Sequence, residues 1–299
     1  MKGLFAPLPT AIDARIRFFA VASLVANILI VGSGGAVRLT GSGLGCPTWP
    51  RCTDDSLVAT PEMGIHGAIE FGNRMLSFVL VLIAIVMFVL IWRMRTERKD
   101  LFRLALLLGL GIPAQALLGG ITVLTHLNPI VVGLHFVLSV VLVALATVLV
   151  YRVYLGQRGP RSDAPGWLKG VTHLDSLLLA ITIGVGILTT GAGPHAGDSA
   201  AARNGLDLEW LEHVHSWPAY ATFAVTIALV VGAILRKEPR LRRFAILLLV
   251  IEGVQIAVGI TQARLGLPPL LIDIHMVLAC CLVSAMTAVV LSLRERQPA

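Results

Sequence analysis

Residues 115–139 read Q-A-L-L-G-G-I-T-V-L-T-H-L-N-P-I-V-V-G-L-H-F-V-L-S, and residues 255–279 read Q-I-A-V-G-I-T-Q-A-R-L-G-L-P-P-L-L-I-D-I-H-M-V-L-A. At an offset of 140 residues, without gaps, seven of the 25 positions are identical: Gln115/Gln255, Gly119/Gly259, Leu127/Leu267, Pro129/Pro269, His135/His275, Val137/Val277 and Leu138/Leu278. Each copy sets one histidine near the start of a long apolar run, just after a proline-containing turn. An ionisable side chain in lipid is costly, so one that recurs at the same place marks a functional position. The repeat defines a four-helix module used twice.

Composition agrees. The 299 residues are 56% hydrophobic and 14% charged, with a mean hydropathy of +0.85. That excludes an ordinary soluble domain. Runs of about 20 apolar residues can cross a bilayer, and eight are present: 17–37, 68–92, 104–124, 131–154, 172–191, 210–235, 244–264 and 270–292. They are too long for barrel strands and do not alternate, so helices are the remaining way to satisfy the backbone in lipid. The expected fold is an all-α polytopic membrane protein, eight helices forming two pseudo-symmetric four-helix bundles. The expected divisions are 1–155, a linker at 156–170, and 171–299.

The net charge of +7 is a topology signal and implies no nucleic-acid partner. Lys2, Arg15 and Arg17 precede the first span, and Arg93, Arg95, Arg98, Lys99 and Arg103 fill the second connection. Arg152, Arg158, Arg161 and Lys169 occupy the fourth, Arg236, Lys237, Arg240, Arg242 and Arg243 the sixth, and Arg294 and Arg296 follow the last span. These are 19 of the 24 basic residues, all on one side of an eight-span chain. The positive-inside rule then puts both termini in the cytoplasm. The first apolar run is long and lacks a small-residue cleavage pattern, so no cleaved signal peptide is expected.

The first span ends in V-G-S-G-G-A-V-R-L-T-G-S-G-L-G-C-P-T-W-P-R-C. Its glycines suit close approach of a neighbouring helix or a flat ligand, and no Gly-Lys-Ser/Thr ending marks a phosphate loop. Cys46 and Cys52 flank two prolines and Trp49 in the first external loop; they read as a disulfide or as two unrelated thiols. Adjacent Cys280 and Cys281 read as packing residues. In the second span His66, Glu70, Asn73 and Arg74 fall at i, i+4, i+7 and i+8, which is one helical face. The alternative is an ordinary Glu70–Arg74 pair on a polar helix end.

At an offset of 142, Glu212-x-x-His215 falls on Glu70-x-x-Asn73, pairing span two with span six and span four with span eight. An even number of spans per module gives parallel repeats. His215 and His275 then share one bundle as a candidate bis-histidine heme site, the alternative being two buried hydrogen-bonded histidines. The matching pair in the first bundle is His135 and Asn73, and asparagine is a poor iron ligand. His66, one turn before Glu70, is the candidate substitute. His126 and His195 fall in external loops, while His173 and His213 read as structural.

T-G-S-G-L-G-C-P-T-W-P-R-C, Glu70 with Arg74, L-H-F at His135, His215 and His275 together resemble the heme A synthase family. G-P-H-A-G-D after span five, with no second cysteine pair, is similar to its actinobacterial-type members. The resemblance implies oxidation of the heme O methyl group to the formyl group of heme A, for terminal oxidase assembly. It implies a heme b cofactor on His215 and His275, a substrate heme bound by His135 among His66, Asn73 and Arg74, a catalytic Glu70, and a Cys46–Cys52 disulfide. Where members carry Glu-x-x-His-Arg, this chain has Asn73, so His66 supplies the missing ligand or the substrate heme is held from one side. The implied partners are heme O delivered by heme O synthase, membrane lipid and an electron acceptor, with a homo-oligomer left open. The implied place is the plasma membrane of a bacterium, cysteine loop outward. Two other classes fit parts of the pattern: a non-enzymatic diheme electron carrier, which heme O turnover would exclude, and a secondary transporter, which would purify without colour.

Overall fold

The computed structural model describes residues 8–156 and 164–294. Lys2, Arg158, Arg161 and Arg296, and part of the expected 156–170 linker, lie outside the described residues. Among those described, eight helices are long and apolar enough to cross a membrane: α1 (Ala14–Leu39), α2 (Gly64–Ile91), α3 (Lys99–Leu124), α4 (Pro129–Leu155), α5 (Gly166–Ala192), α6 (Leu208–Leu235), α7 (Pro239–Arg264) and α8 (Pro269–Arg294). Several helices start earlier than their apolar runs, α3 at Lys99, α5 at Gly166 and α7 at Pro239. An apolar run measures the hydrocarbon crossing, whereas the helix continues through charged turns at the interface.

Local chemistry sets the helix ends. Asp13, Asn128 and Asp207 cap α1, α4 and α6 by accepting the amides of Ile16, Ile130 and Trp210, which supplies an acceptor to an otherwise unpaired N–H. Proline occupies the first position of α4, α7 and α8, where its missing N–H costs nothing.

In the N-terminal half α1 packs on α2 and α4, and α3 packs on α2 and α4. In the C-terminal half α5–α6, α6–α7 and α7–α8 pack in turn, and α8 returns to α5. The halves meet where α8 lies against α1 and α4, and α4 against α5. Each half has its own close-packed core. One gathers Ile16, Ile91, Leu101 and Leu149 from α1 to α4, the other Leu168, Leu229, Leu248 and Val289 from α5 to α8. Both cores lie toward the ends that carry the basic residues. Phe18, Leu29, Phe78, Leu82, Leu110 and Leu177 are exposed, an apolar surface no soluble monomer tolerates and one suited to lipid.

The repeated turn keeps its geometry. Leu127 and Leu267 have φ of 60° and 61°, a left-handed conformation rare for a residue with a side chain. Each donates its amide 2.8 Å to a carbonyl five residues back, Thr122 and Gln262. These turns launch α4 and α8, and so place His135 and His275 at equivalent depths.

Candidate functional site

The two copies hold their histidines in the same way. Gln115 Nε2 donates to the His135 carbonyl at 3.3 Å, and Gln255 Nε2 to the His275 carbonyl at 3.1 Å. A methyl group built at Gly119 would lie 3.2 Å from His135 Cε1, and one at Gly259 3.2 Å from His275 Cε1. Each imidazole therefore lies against a bare stretch of the preceding helix, with glycine making room for it.

In the C-terminal half His215 joins His275, their ring centres 6.1 Å apart. His215 Nδ1 lies 2.9 Å from the Thr182 carbonyl. A carbonyl only accepts, so Nδ1 carries the proton and Nε2 keeps its lone pair. That is the arrangement of a metal-ligating histidine with its outer-shell partner. His275 Nδ1 is buried without a hydrogen-bond partner. Two nitrogens bonded to one metal at about 2 Å set their ring centres about 6 Å apart, so the pair fits a bis-histidine iron. Among the described residues no three His, Cys, Asp or Glu side chains converge on one point, so the pair would supply only two ligands to any metal it held.

The N-terminal half presents one such histidine. His135 Nδ1 is buried and without a partner, but the position opposite is taken differently. Asn73 Oδ1 accepts from Ser33 Oγ of α1 at 2.7 Å, which ties the amide to a neighbouring helix. His66 is exposed, its Nδ1 2.9 Å from Ser42 Oγ, which leaves Nε2 available. The four polar residues of α2 thus diverge: His66 to the start of the first external loop, Asn73 to α1, and Glu70 with Arg74 to the cysteine loop.

Glu70 is only 5% exposed and both its oxygens are engaged. Oε2 accepts the Cys46 amide at 2.6 Å, and Oε1 pairs with Arg74 Nη2 at 2.5 Å. Arg74 in turn donates to the carbonyls of Cys46, Thr48 and Arg51 at 3.1–3.2 Å. A carboxylate and its arginine therefore grip the backbone of the loop on both sides of Pro47. Cys46 and Cys52 are joined by a disulfide and are fully buried. Trp49, between them, packs so closely on Gly120 of α3 that no side chain fits there. Gly120 adjoins Gly119, where His135 rests, so the loop reaches the mouth of the N-terminal site.

The remaining histidines stay outside both sites. His126, His173 and His213 are exposed; His195 Nε2 meets the Leu267 carbonyl at 3.1 Å, linking two external turns. Cys280 packs with Val31 and Val143. Sequence reasoning missed Thr182, Ser33 and the docking of Trp49, whose partners lie far away in the chain. It also missed Asp273, whose carboxylate fills the space beside Gly35 where α8 meets α1. A carboxylate inside an apolar run was the available signal.

Residues 17–287 match the sequence model of the cytochrome oxidase assembly protein family, and the chain belongs to that family. It is similar to a heme A synthase of Lysinibacillus sphaericus, 34% identical over 153 residues, covering 50% of this chain and 48% of the relative. A heme A synthase of Listeria welshimeri is 28% identical over 169 residues, 56% of this chain and 54% of the relative. One of Geobacillus thermodenitrificans is 27% identical over 124 residues, 42% of this chain and 38% of the relative. The matched stretch spans about half the length of the first two relatives.

Proposed function

We propose that this chain is a heme A synthase, an oxidoreductase that converts the heme O methyl group to the formyl group of heme A. The observation that carries the reading is the asymmetry of a duplicated site. Two glycine-cradled copies of one histidine are kept, but only the C-terminal copy has a second histidine, 6.1 Å away. A permanently held cofactor wants two strong ligands. A substrate that must enter and leave wants fewer.

On this reading His215 and His275 hold heme b, which when bound supplies a one-electron carrier. His135 receives the substrate heme, with His66 as the candidate second ligand and Asn73 and Arg74 beside it. Gly119 leaves room for the Cε1 edge of the His135 ring, and the Gln115 bond to its carbonyl fixes the start of α4. The disulfide loop, gripped by Glu70 and Arg74, closes the mouth through Trp49 and keeps water from the reacting carbon. Glu70 stands at that junction, where a carboxylate can accept a proton released as the methyl group is oxidised. The charge distribution supports a cysteine loop on the outer side of the membrane; on this reading the membrane is a bacterial plasma membrane and heme O arrives from a heme O synthase.

The test is heme extraction and turnover on the purified full-length protein. Heme b is expected in wild type and lost from His215→Ala and His275→Ala, with heme O converted to heme A by wild type alone. Retained heme without any conversion would leave an electron carrier in its place. A folded, colourless protein would overturn both.

A further inference from the structure

The C-terminal half holds a second polar cluster that the proposed reaction does not use. Asp175 of α5 and Thr226 of α6 are fully buried, and Glu252 of α7 is 4% exposed. Thr226 Oγ lies 2.9 Å from Asp175 Oδ2 and 2.9 Å from Glu252 Oε1. A threonine hydroxyl has one hydrogen and can donate to only one of two carboxylates. The other contact is a hydrogen bond only if that carboxyl oxygen carries the hydrogen and donates to Thr226. Both contacts are full hydrogen bonds at once when the pair carries one proton. The outer oxygens, Asp175 Oδ1 and Glu252 Oε2, are buried and have no partner at all, and among the described residues neither carboxylate is in an ion pair. Two bare anions without a cation would not stay buried here.

Among the described residues no hydrogen bond or ion pair joins another titratable side chain to the cluster; Tyr151 of α4, the helix packed on α5 and α8, lies against Phe244 of α7. His173, two residues before Asp175, is exposed. The α8 side chains in this core, Leu282, Met286 and Val289, are apolar. Elsewhere on α8 Cys280 packs on the N-terminal half, Asp273 lies against α1 and His275 against Gly259, while Cys281 is half-buried.

Three helices connect the cluster to the histidine pair. Thr226 lies 11 residues after His215, which is three turns along one face of α6, or about 16 Å. Asp175 lies two turns from Thr182, whose carbonyl accepts His215. Glu252 lies one turn from Gln255, which donates to the His275 carbonyl. At the repeat offsets Thr226 falls on Ala84 and Glu252 on Ile112, and among the described residues of the N-terminal half no two buried carboxylates share a hydroxyl. A need of the scaffold would be met in both halves, but the cluster is present only where there are two histidines.

We propose that Asp175, Thr226 and Glu252 form a proton-binding site that holds one proton and gains affinity for a second when the metal held by His215 and His275 gains an electron. The coupling rests on the heme reading above. The electron comes from the substrate being oxidised, or from dithionite in the test, and reduces ferric to ferrous iron. The proton comes from water at the basic end of the bundle and neutralises the remaining carboxylate. Across about 16 Å at an effective dielectric constant of about 20, one charge changes the other's equilibrium about sixfold.

Reduced-minus-oxidised infrared spectra of the full-length heme-loaded protein test this, beside redox titrations across pH. A carboxylic-acid C=O band that shifts in deuterated water is expected to grow on reduction and to vanish in Asp175→Asn and Glu252→Gln. Thr226→Val should move the band without abolishing it, since both carboxyls remain. The wild-type midpoint potential should shift with pH by the equivalent of about sixfold, about 45 mV for one electron, and this shift should disappear in the two carboxyl variants. A missing band, or a band and pH dependence unchanged in both variants, would overturn the proposal. A protein without heme would instead overturn the histidine reading; a carboxylic-acid band in its absolute infrared spectrum, shifted in deuterated water and lost in both variants, would then still show the proton site by itself.

Discussion

Gly186→Ala puts the proposed second ligand of the C-terminal site, His215, under direct test. A methyl group at this position would lie 2.8 Å from His215 Cε1 and 3.2 Å from its Nδ1, whereas ordinary contact begins at 3.4 Å. The ring must retreat by the 0.6 Å difference between 3.4 and 2.8 Å. It is already held by a 2.9 Å bond to the Thr182 carbonyl, and the same displacement away from that carbonyl would stretch it to the limit of hydrogen bonding. Losing the bond costs about 1 kcal/mol, and an off-rotamer ring about another 1 kcal/mol. About 2 kcal/mol corresponds to about thirtyfold weaker retention of heme. Gly259→Ala, with its contact at 3.2 Å to His275, should cost less than about tenfold. The assay is the heme-to-protein ratio through graded apoprotein competition, with the low-spin absorbance spectrum as a check on ligation. Gly186→Ala retaining heme as tightly as wild type, with an unchanged spectrum, would show that His215 is not a ligand in the orientation seen.

The cysteine loop and N-terminal site yield further tests. Replacing Cys46 and Cys52 with alanine opens a loop whose ends are six residues apart and should cost about 2 kcal/mol; Trp49 should leave Gly120, giving red-shifted fluorescence and faster proteolysis of the loop, and neither change would disprove its docking. Glu70→Gln keeps an acceptor for the Cys46 amide but removes the charge, so heme content should hold while heme A formation falls at least about a hundredfold; full turnover would reduce Glu70 to an anchor. Arg74→Ala strands a buried carboxylate and should lower stability by about 3 kcal/mol, measured as a drop in Tm that a merely exposed pair would not show. His66→Ala should weaken heme O binding about tenfold and leave the C-terminal spectrum alone; unchanged binding would assign the substrate heme to His135 by itself.

Much of the site was legible because duplication writes it twice. A histidine at the same place in two apolar runs, each with a glutamine 20 residues earlier and a glycine 16 residues earlier, marks the two cradles. Their contents proved to be the Gln–carbonyl bonds and the ring-to-glycine contacts. The i, i+4, i+7, i+8 pattern on α2 pointed to a polar face but not to its use. Glu70, Asn73 and His66 sit on adjoining turns, yet their partners come from the cysteine loop, from Ser33 and from Ser42. Periodicity says which residues share a face; it does not say what stands opposite.

Eight crossings and paired histidines follow from the chain alone, because lipid leaves the backbone one solution and charges a high cost for each ionisable group inside it. Only tertiary structure decided that Trp49 folds back onto Gly120, and that one hydroxyl on α6 bridges carboxylates 51 residues before and 26 residues after it. Such contacts depend on how each helix is rotated against its neighbours. That rotation is settled by the packing of whole helices against one another, which no local stretch of sequence records.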